Sequence, residues 1–235
     1  MCEFDRFSRN YNLIHNRNIR ISGESSEYFA EYKVKELNSF FLKHKMDKRA
    51  KILDIGCGIG KIEKYLFSHF PSAIAYGIDP SSKCIEEAIH ACGNKQAIFQ
   101  VYDGENIPFA DDSFDVILFA CVLHHILPAK REKILNESYR VLRKNAHLFI
   151  FEHNLLNPLT FYVVRTCDFD RDAKFLYRRD IERLLSRANF EIVEKKYTTF
   201  FPHFLRSLRK YEKILRSFPI GAQYFIAARK RRYEL

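Results

Sequence analysis

From Lys51 onward, short apolar runs rich in β-branched and aromatic residues alternate with stretches of helical periodicity. The runs at 52–55, 73–78, 97–102, 115–119 and 147–151 have the length and composition of buried strands. Between them the spacing predicts helices over 61–70, stopped by Pro71, over 82–92, stopped by Gly93, and over 128–142. Repeated strand–helix alternation implies a parallel sheet with helical crossovers. After residue 151 a polar, aromatic stretch runs to Tyr177, followed by a helix over 178–188, a strand over 191–197 and a last strand over 223–228, expected to close the sheet edge. Ahead of the first strand, Phe29, Tyr32, Leu37, Phe40 and Phe41 recur at helical spacing within 25–45. An aromatic, basic arm with Phe4, Phe7, Tyr11 and Tyr28 accompanies them and reads either as a lid or as a loosely held tail.

The 235 residues suit one domain, and 47% hydrophobic with 29% charged residues excludes a disordered chain. A net charge of +10, with 22 Phe, 13 Tyr and no Trp, directs attention to an anionic or amphipathic partner. The N-terminus carries no apolar leader run, and the longest apolar run, 116–123, is far short of the roughly 18 residues a membrane span needs. The expectation is a cytoplasmic protein. Six cysteines without a CxxC pair indicate neither a disulfide framework nor a zinc site, so no metal is expected.

In the segment 52–61, Ile-Leu-Asp-Ile-Gly-Cys-Gly-Ile-Gly-Lys, a strand runs into a glycine-rich turn that opens a helix. Glycines at alternate positions let the backbone turn tightly and approach a ligand, and the free N–H groups of the helix start face negative or lone-pair-bearing groups. A dinucleotide fingerprint would place its third glycine at position 61, where Lys61 stands, and a P-loop would end in G-K-[ST], a condition Gly60-Lys61-Ile62 does not meet. NAD and ATP are both disfavoured. Nineteen residues beyond Gly60, Asp79 ends the second strand, where a carboxylate can accept from both hydroxyls of a ribose. Asp103, after the third strand, is suited to an exocyclic amine such as that of adenine.

Taken in order, Leu53 to Gly58 with Gly60, then Asp79, Asp103 to Phe109, Asp112 to Ile117 and Leu123-His124-His125 resemble the class I S-adenosylmethionine-dependent methyltransferases of the type 11 group. The match covers about 51–151, and five elements in order are specific as a set. The resemblance implies an α/β fold, a Rossmann-like doubly wound seven-stranded sheet, mostly parallel with an antiparallel last strand, plus an N-terminal helical arm. It divides the chain into an arm and helix that cover the cofactor (1–50), a cofactor-binding half (51–152) and an acceptor-side region with the C-terminal strands (153–235). It further implies S-adenosyl-L-methionine as cofactor. Asp54, Gly56, Cys57, Gly58 and Gly60 would line its methionine and ribose side, Asp79 and Pro80 the ribose, Asp103 and Gly104 the adenine, and Phe119, Ala120 and Cys121 the methionine moiety. The segment Phe4-Asp5-Arg6-Phe7-Ser8-Arg9-Asn10-Tyr11-Asn12 resembles an arm element whose Tyr covers the bound cofactor, with Asn12 in place of the usual Asp.

A sulfonium methyl is already activated, so such a protein mainly aligns an acceptor and excludes water; a base is needed only where the acceptor must lose a proton. His124, His125 and Glu152, with His153, stand at C-terminal strand ends, where open α/β sheets bind ligands; tandem histidines also serve as packing elements. No [DN]-P-P-[FY] motif follows the fourth strand and no Pro-Cys pair exists, which demotes methylation of nucleic-acid bases. Glu152-His153-Asn154-Leu155-Leu156-Asn157-Pro158-Leu159-Thr160 resembles a stretch found in a branch of bacterial type 11 enzymes.

In 198–219, apolar residues at 204, 208, 211, 215 and 218 are helically spaced among Arg206, Arg209, Lys210, Lys213 and Arg216, which reads as a basic amphipathic helix. It either covers the sheet with a solvated face or meets an anionic membrane or lipid-linked acceptor. The phenylalanine excess is expected in this insert and the arm. A small-molecule or lipid-linked acceptor is therefore favoured, and nucleic acid is disfavoured; the alternative is an RNA-directed enzyme using the +10 charge and the tail 229–232.

Overall fold

In the computed structural model, which describes residues 5, 11–92 and 96–231, each β-branched run downstream of Lys51 becomes a strand. These are β1 (Lys51–Ile55), β2 (Ile74–Asp79), β3 (Ala97–Val101), β4 (Phe114–Ala120), β5 (Leu142–His153), β6 (Phe190–Thr198) and β7 (Gln223–Lys230). The helices are α1 (Tyr11–Asn18), α2 (Ser26–Lys43), α3 (Lys61–His69), α4 (Ser82–Cys92), α5 (Pro128–Val141), α6 (Pro158–Arg165), α7 (Arg178–Arg187) and α8 (Glu212–Leu215). One seven-stranded sheet results, in the order β3-β2-β1-β4-β5-β7-β6. β1 to β5 pair in parallel, and β7 runs antiparallel to both β5 and β6.

The last strand does not close the edge. β7 lies between β5 and β6 because its run 223–228 is buried on both faces, whereas β6 carries Glu191, Glu194 and Lys195 among partly exposed positions. An interior strand must be apolar on both faces, and charges blunt an edge.

Alternate residues of each strand point to opposite faces and feed two cores. On one face Phe40 and Phe41 of α2 and Phe70 pack on Phe149, Phe151 and Phe225. On the other, Ile134 and Leu135 of α5 and Ile181 and Leu185 of α7 pack on Ile117, Leu148, Ile150 and Ile226. Much of the phenylalanine excess thus builds the core, since Phe40, Phe41, Phe70, Phe114, Phe119, Phe149, Phe151, Phe190 and Phe225 are all buried. α2 is joined to β6 by a buried ion cluster in which Lys196 Nζ meets Glu36 Oε2 at 2.9 Å and Glu194 Oε1 at 2.7 Å.

Two further regions depart from the sequence expectation. α6 and a 3-10 turn at Asp168–Asp170 fill the stretch after β5. Asn157 caps α6 by accepting the Thr160 N–H (2.9 Å), and Pro158 occupies its first turn, a start signal present in the sequence. The region 198–219 is not a continuous amphipathic helix. It is a 3-10 segment, His203–Tyr211, broken at Leu205 (φ −105°, ψ 19°), followed by the single turn of α8. Polar anchors decide its path: Glu24 holds Arg209 and His203, Glu212 accepts from the Phe200 N–H (3.1 Å) and the Tyr32 hydroxyl (3.1 Å), and Arg216 donates to Glu36 (2.6 Å). Its apolar positions turn outward instead of onto the sheet, Phe204 being 77% and Ile214 72% exposed. Among the described residues no helix is long and apolar enough to cross a membrane.

Candidate active site

The turn after β1 holds three glycines at positive φ, Gly56 (74°), Gly58 (54°) and Gly60 (73°), for different reasons. A Cβ at Gly56 would stand 2.7 Å from Val122 Cγ1, and one at Gly60 3.1 Å from Ala88 Cβ and 3.2 Å from Phe99 Cζ, so these two permit close packing. A Cβ at Gly58 would meet nothing within 4 Å, so here the backbone is bare toward open space. Asp79, at the end of β2, holds this loop: Oδ2 accepts the Gly58 N–H (2.9 Å) and Oδ1 the Ser81 N–H (2.8 Å), while burial pushes its carboxyl up. Ser81 Oγ–H in turn donates to Asp5 (2.7 Å), which brings Asp5 to the loop. Pro80 faces Gly104, where a Cβ would lie 3.5 Å from Pro80 Cγ. Asp103 is exposed and binds its own loop, Oδ1 accepting the N–H groups of Asn106 (2.7 Å) and Glu105 (2.8 Å); these bonds hold it down to about 2.

Beneath the loop, Asp54 of β1 and Glu63 of α3 are buried together, and among the described residues their carboxyl groups have no side-chain hydrogen-bond partner but each other. Burial raises both, and the charge of Glu63 raises Asp54 further. Such a pair is an incomplete polar site: it holds a shared proton or welcomes a cationic group. Sequence reasoning missed Glu63, although an acid beside Ile62 in the first turn of α3, on its buried face, is a legible signal.

A second cavity, of about 180 Å³, opens at the ends of β4 and β5. His15, Asn18 and Ile19 from α1 and the turn after it, Phe29 and Lys33 from α2, Ala120 and Cys121, and the histidines His124, His125 and His153 all face it. His15, Phe29, Lys33 and Ala120 also line the pocket around Asp54 and Gly58, so the two spaces share a wall. His15 and Lys33 went unnoticed in the sequence; Lys33 lies one helical turn from both Phe29 and Leu37 on the apolar stripe of α2. Cys121 takes φ 63°, a strained value for a residue with a side chain, and burial pushes its thiol up to about 12, so it is no nucleophile at neutral pH. Phe119 is buried in the core under β4 and does not line either cavity.

The three candidate catalytic residues come together. Glu152 Oε2 lies 2.6 Å from His124 Nδ1, and both side chains are buried. Asp170 Oδ1, from the turn after α6, stands 3.4 Å from His124 Nε2 and 3.5 Å from His125 Nε2. Burial alone would lower His124, but Glu152 and Asp170 outweigh it and lift it to about 9, whereas burial and then His124 drive His125 down to about 3. Arg131 fixes the loop, its Nε donating to Leu123 O (3.0 Å) and Ile126 O (2.9 Å) and its Nη2 to Lys174 O, while the Lys174 N–H donates to His124 O (2.8 Å). Phe175 stacks on the His124 ring at 5.2 Å. Tyr11 opens α1, but its side chain lies outside the described residues, as do Phe4, Phe7, Gly93 and Arg232.

Residues 53–150 match the family model described as a methyltransferase domain. A demethylmenaquinone methyltransferase of Thermotoga maritima is 36% identical over 110 residues, 47% of this chain and 45% of the relative. The malonyl-[acyl-carrier protein] O-methyltransferase of Geobacter sulfurreducens is 26% identical over 179 residues, 68% of this chain and 65% of its own length. The chain spans about half the length of the first curated relatives it matches. Among solved structures, an S-adenosylmethionine-dependent methyltransferase of Thermotoga maritima, described as a possible histamine N-methyltransferase, superimposes with TM-score 0.67 at 21% identity, covering 97% of this chain and 98% of that one. A TehB-like enzyme of Corynebacterium glutamicum gives TM-score 0.64 at 20% identity, covering 97% and 99%. These two likenesses establish the shared fold.

Proposed function

Residues 53–150 are a class I S-adenosylmethionine-dependent methyltransferase domain of the type 11 group, and from that premise we propose that the protein methylates a small-molecule or lipid-linked acceptor bound in the histidine-lined cavity. The observation that carries this reading is the wall shared by the two cavities through His15, Phe29, Lys33 and Ala120. A donor on the glycine loop and an acceptor beside His124 would meet across Ala120, as an in-line transfer requires.

The residues of the loop fit the cofactor. The bare backbone face at Gly58 admits a ligand, and the buried Asp54–Glu63 acid pair complements the α-ammonium of a methionine moiety. Asp79 and Pro80 would hold the ribose, Asp103 and Gly104 the adenine, and Ala120 the methionine side chain; Gly56, Cys57 and Gly60 shape the loop. The bound cofactor supplies a sulfonium methyl that needs alignment and dryness more than activation. His124, His125 and Glu152 would hold the reacting atom of the acceptor; Glu152 and Asp170 favour the protonated form of His124, so His125, kept neutral by burial and by His124, would be the imidazole to take a proton where the acceptor has one to lose. Asp5, bonded to Ser81, supports the 1–50 arm as a cover for the donor.

The apolar residues around the cavity, with Leu159 and Val163 of α6 among them, favour an acceptor with an apolar body. Relatives named for demethylmenaquinone and for a malonyl-acyl carrier protein accord with acceptors of small-molecule or carrier-linked kind. Exposed Phe204, Ile214, Phe218 and Ile220 beside the exposed bases Arg206, Lys210 and Lys213 support a peripheral contact with an anionic membrane face. The basic tail offers little to RNA, since Arg229 pairs with Glu191 (2.8 Å) and Lys230 with Asp112 (2.9 Å).

The test is incubation with methyl-labelled cofactor and a fractionated lipid and metabolite extract, with cofactor binding followed by calorimetry. Label entering an apolar or small-molecule fraction is the expected result. Absence of cofactor binding overturns the assignment, and label entering only RNA overturns the acceptor class. Sedimentation with anionic and neutral vesicles separates the membrane contact: equal retention by both rules it out.

A further inference from the structure

Three ligand-type atoms converge at the end of the acceptor cavity. Asp170 Oδ1 sits 3.4 Å from His124 Nε2 and 3.5 Å from His125 Nε2, and all three atoms lie within 4.8 Å of one another. Charge-assisted N–H···O bonds run at about 2.7–2.9 Å, so these spacings are long for an ion pair with a protonated imidazole. They equal the separation of neighbouring ligands around a small ion, because atoms about 2.1 Å from a tetrahedral centre stand about 3.4 Å apart.

We propose that His124 Nε2, His125 Nε2 and a carboxylate oxygen of Asp170 bind one divalent transition-metal ion, of the zinc or cobalt class, at the inner end of the acceptor cavity.

The surroundings of the three atoms are those of a prepared site. Glu152 Oε2, 2.6 Å from His124 Nδ1, accepts the Nδ1–H, so that an ion displacing the Nε2 proton meets a lone pair there, the carboxylate–histidine pairing that orients metal-ligating imidazoles. Glu152 Oε1 also accepts the His124 backbone N–H (3.3 Å), which fixes the carboxylate against rotation. Once an ion has displaced the second proton of His124, two neutral imidazoles with the carboxylates of Glu152 and Asp170 carry a charge of −2, which a divalent ion cancels inside a buried site. Arg131 and Phe175 hold the histidine loop in place from behind. Nitrogen and oxygen donors with no thiolate in the set favour zinc, cobalt, nickel or iron over copper(I), and the two imidazoles disfavour calcium and magnesium.

Three protein ligands leave a position open toward the cavity. A metal there would take a lone pair of the acceptor, so the proposal narrows the acceptor to one presenting an oxygen or nitrogen donor at its reacting end. That narrowing rests on the methyltransferase reading; metal binding itself does not.

The experiment titrates chelator-treated full-length protein with Co2+ alone, followed by calorimetry and by visible ligand-field absorption. Cofactor binding is measured on the same samples. The expected result is one Co2+ per chain with a four- or five-coordinate spectrum. Asp170→Asn and His125→Gln should each weaken it at least tenfold, and Glu152→Gln by about 10–100-fold, all with cofactor affinity kept. His125 is partly exposed, so His125→Gln serves where Asp170→Asn fails to fold. Equal Co2+ affinity in the folded variants overturns the site. Wild-type protein that binds cofactor but not Co2+ overturns this inference and leaves the methyltransferase reading standing; Co2+ binding without cofactor binding does the reverse.

Discussion

Replacing Gly58 by alanine adds one methyl group at φ +54°, where an ideal Cβ meets no atom within 4 Å. The left-handed conformation costs a residue with a side chain about 1–2 kcal/mol. With no clash to add, that strain is the whole expected loss of stability, a Tm lower by about 2–8 °C for a chain of this size. Gly56→Ala carries the same strain at φ +74° and also drives a Cβ to 2.7 Å from both Val122 methyls, so overpacking of about 1–3 kcal/mol is added. The two variants therefore separate stability from binding. Gly58→Ala should melt above Gly56→Ala yet lose at least tenfold in S-adenosylmethionine affinity, because the new methyl occupies the face through which the cofactor reaches the backbone. Thermal unfolding followed by circular dichroism and calorimetric titration with the cofactor read the two effects independently. Unchanged cofactor affinity in Gly58→Ala would refute the assignment of that open face, and a lower Tm for Gly58→Ala than for Gly56→Ala would refute the steric reasoning.

Glu63→Gln tests the buried acid pair. A carboxyl raised by burial favours folding most below its ordinary pKa near 4.5 and loses that contribution as pH rises through its higher folded value. Urea unfolding should therefore show the variant more stable than wild type at pH 8 and equal to it near pH 4; a gap that widens toward acid would contradict the pairing. Asp79→Ala strips the acceptor from the Gly58 and Ser81 N–H groups, which should cost about 1–3 kcal/mol in denaturant unfolding and abolish calorimetric cofactor binding; retained affinity would remove Asp79 from the site. Lys196→Met leaves Glu36 buried with one partner fewer, for an expected loss of about 3–5 kcal/mol. A neutral or stabilising result would mean that the Glu36–Lys196–Glu194 cluster contributes no net stability.

The order of strands and helices from 51 to 153 was legible because each element there is written locally. β1, β2, β4 and the second half of β5 are largely buried and so read as short apolar runs, the exposed edge strand β3 is marked by its β-branched and aromatic residues, and the Gly56–Gly60 turn needs positive φ that few other residues supply. Asp79 was legible for a similar reason, standing at a fixed distance from the turn on a neighbouring parallel strand. By itself the sequence thus determined the fold class, the cofactor loop and the type 11 resemblance, since all three rest on contacts between residues near in the chain or on adjacent strands.

Only the tertiary structure decided how the C-terminal third is laid out and what the acceptor side contains. β7 sits inside the sheet rather than at its edge because burial on both faces outweighs chain order. The helical spacing of 204–218 yielded to long-range anchors, Glu24 to Arg209 and Glu36 to Arg216, which hold the segment in a 3-10 path and turn its apolar side outward. Asp170 meets His124 and His125 across more than forty residues, and Glu63 meets Asp54 across a strand–turn–helix corner. No local pattern encodes such pairs: what brings them together is the packing of whole elements, and that packing also sets the charge each of them carries.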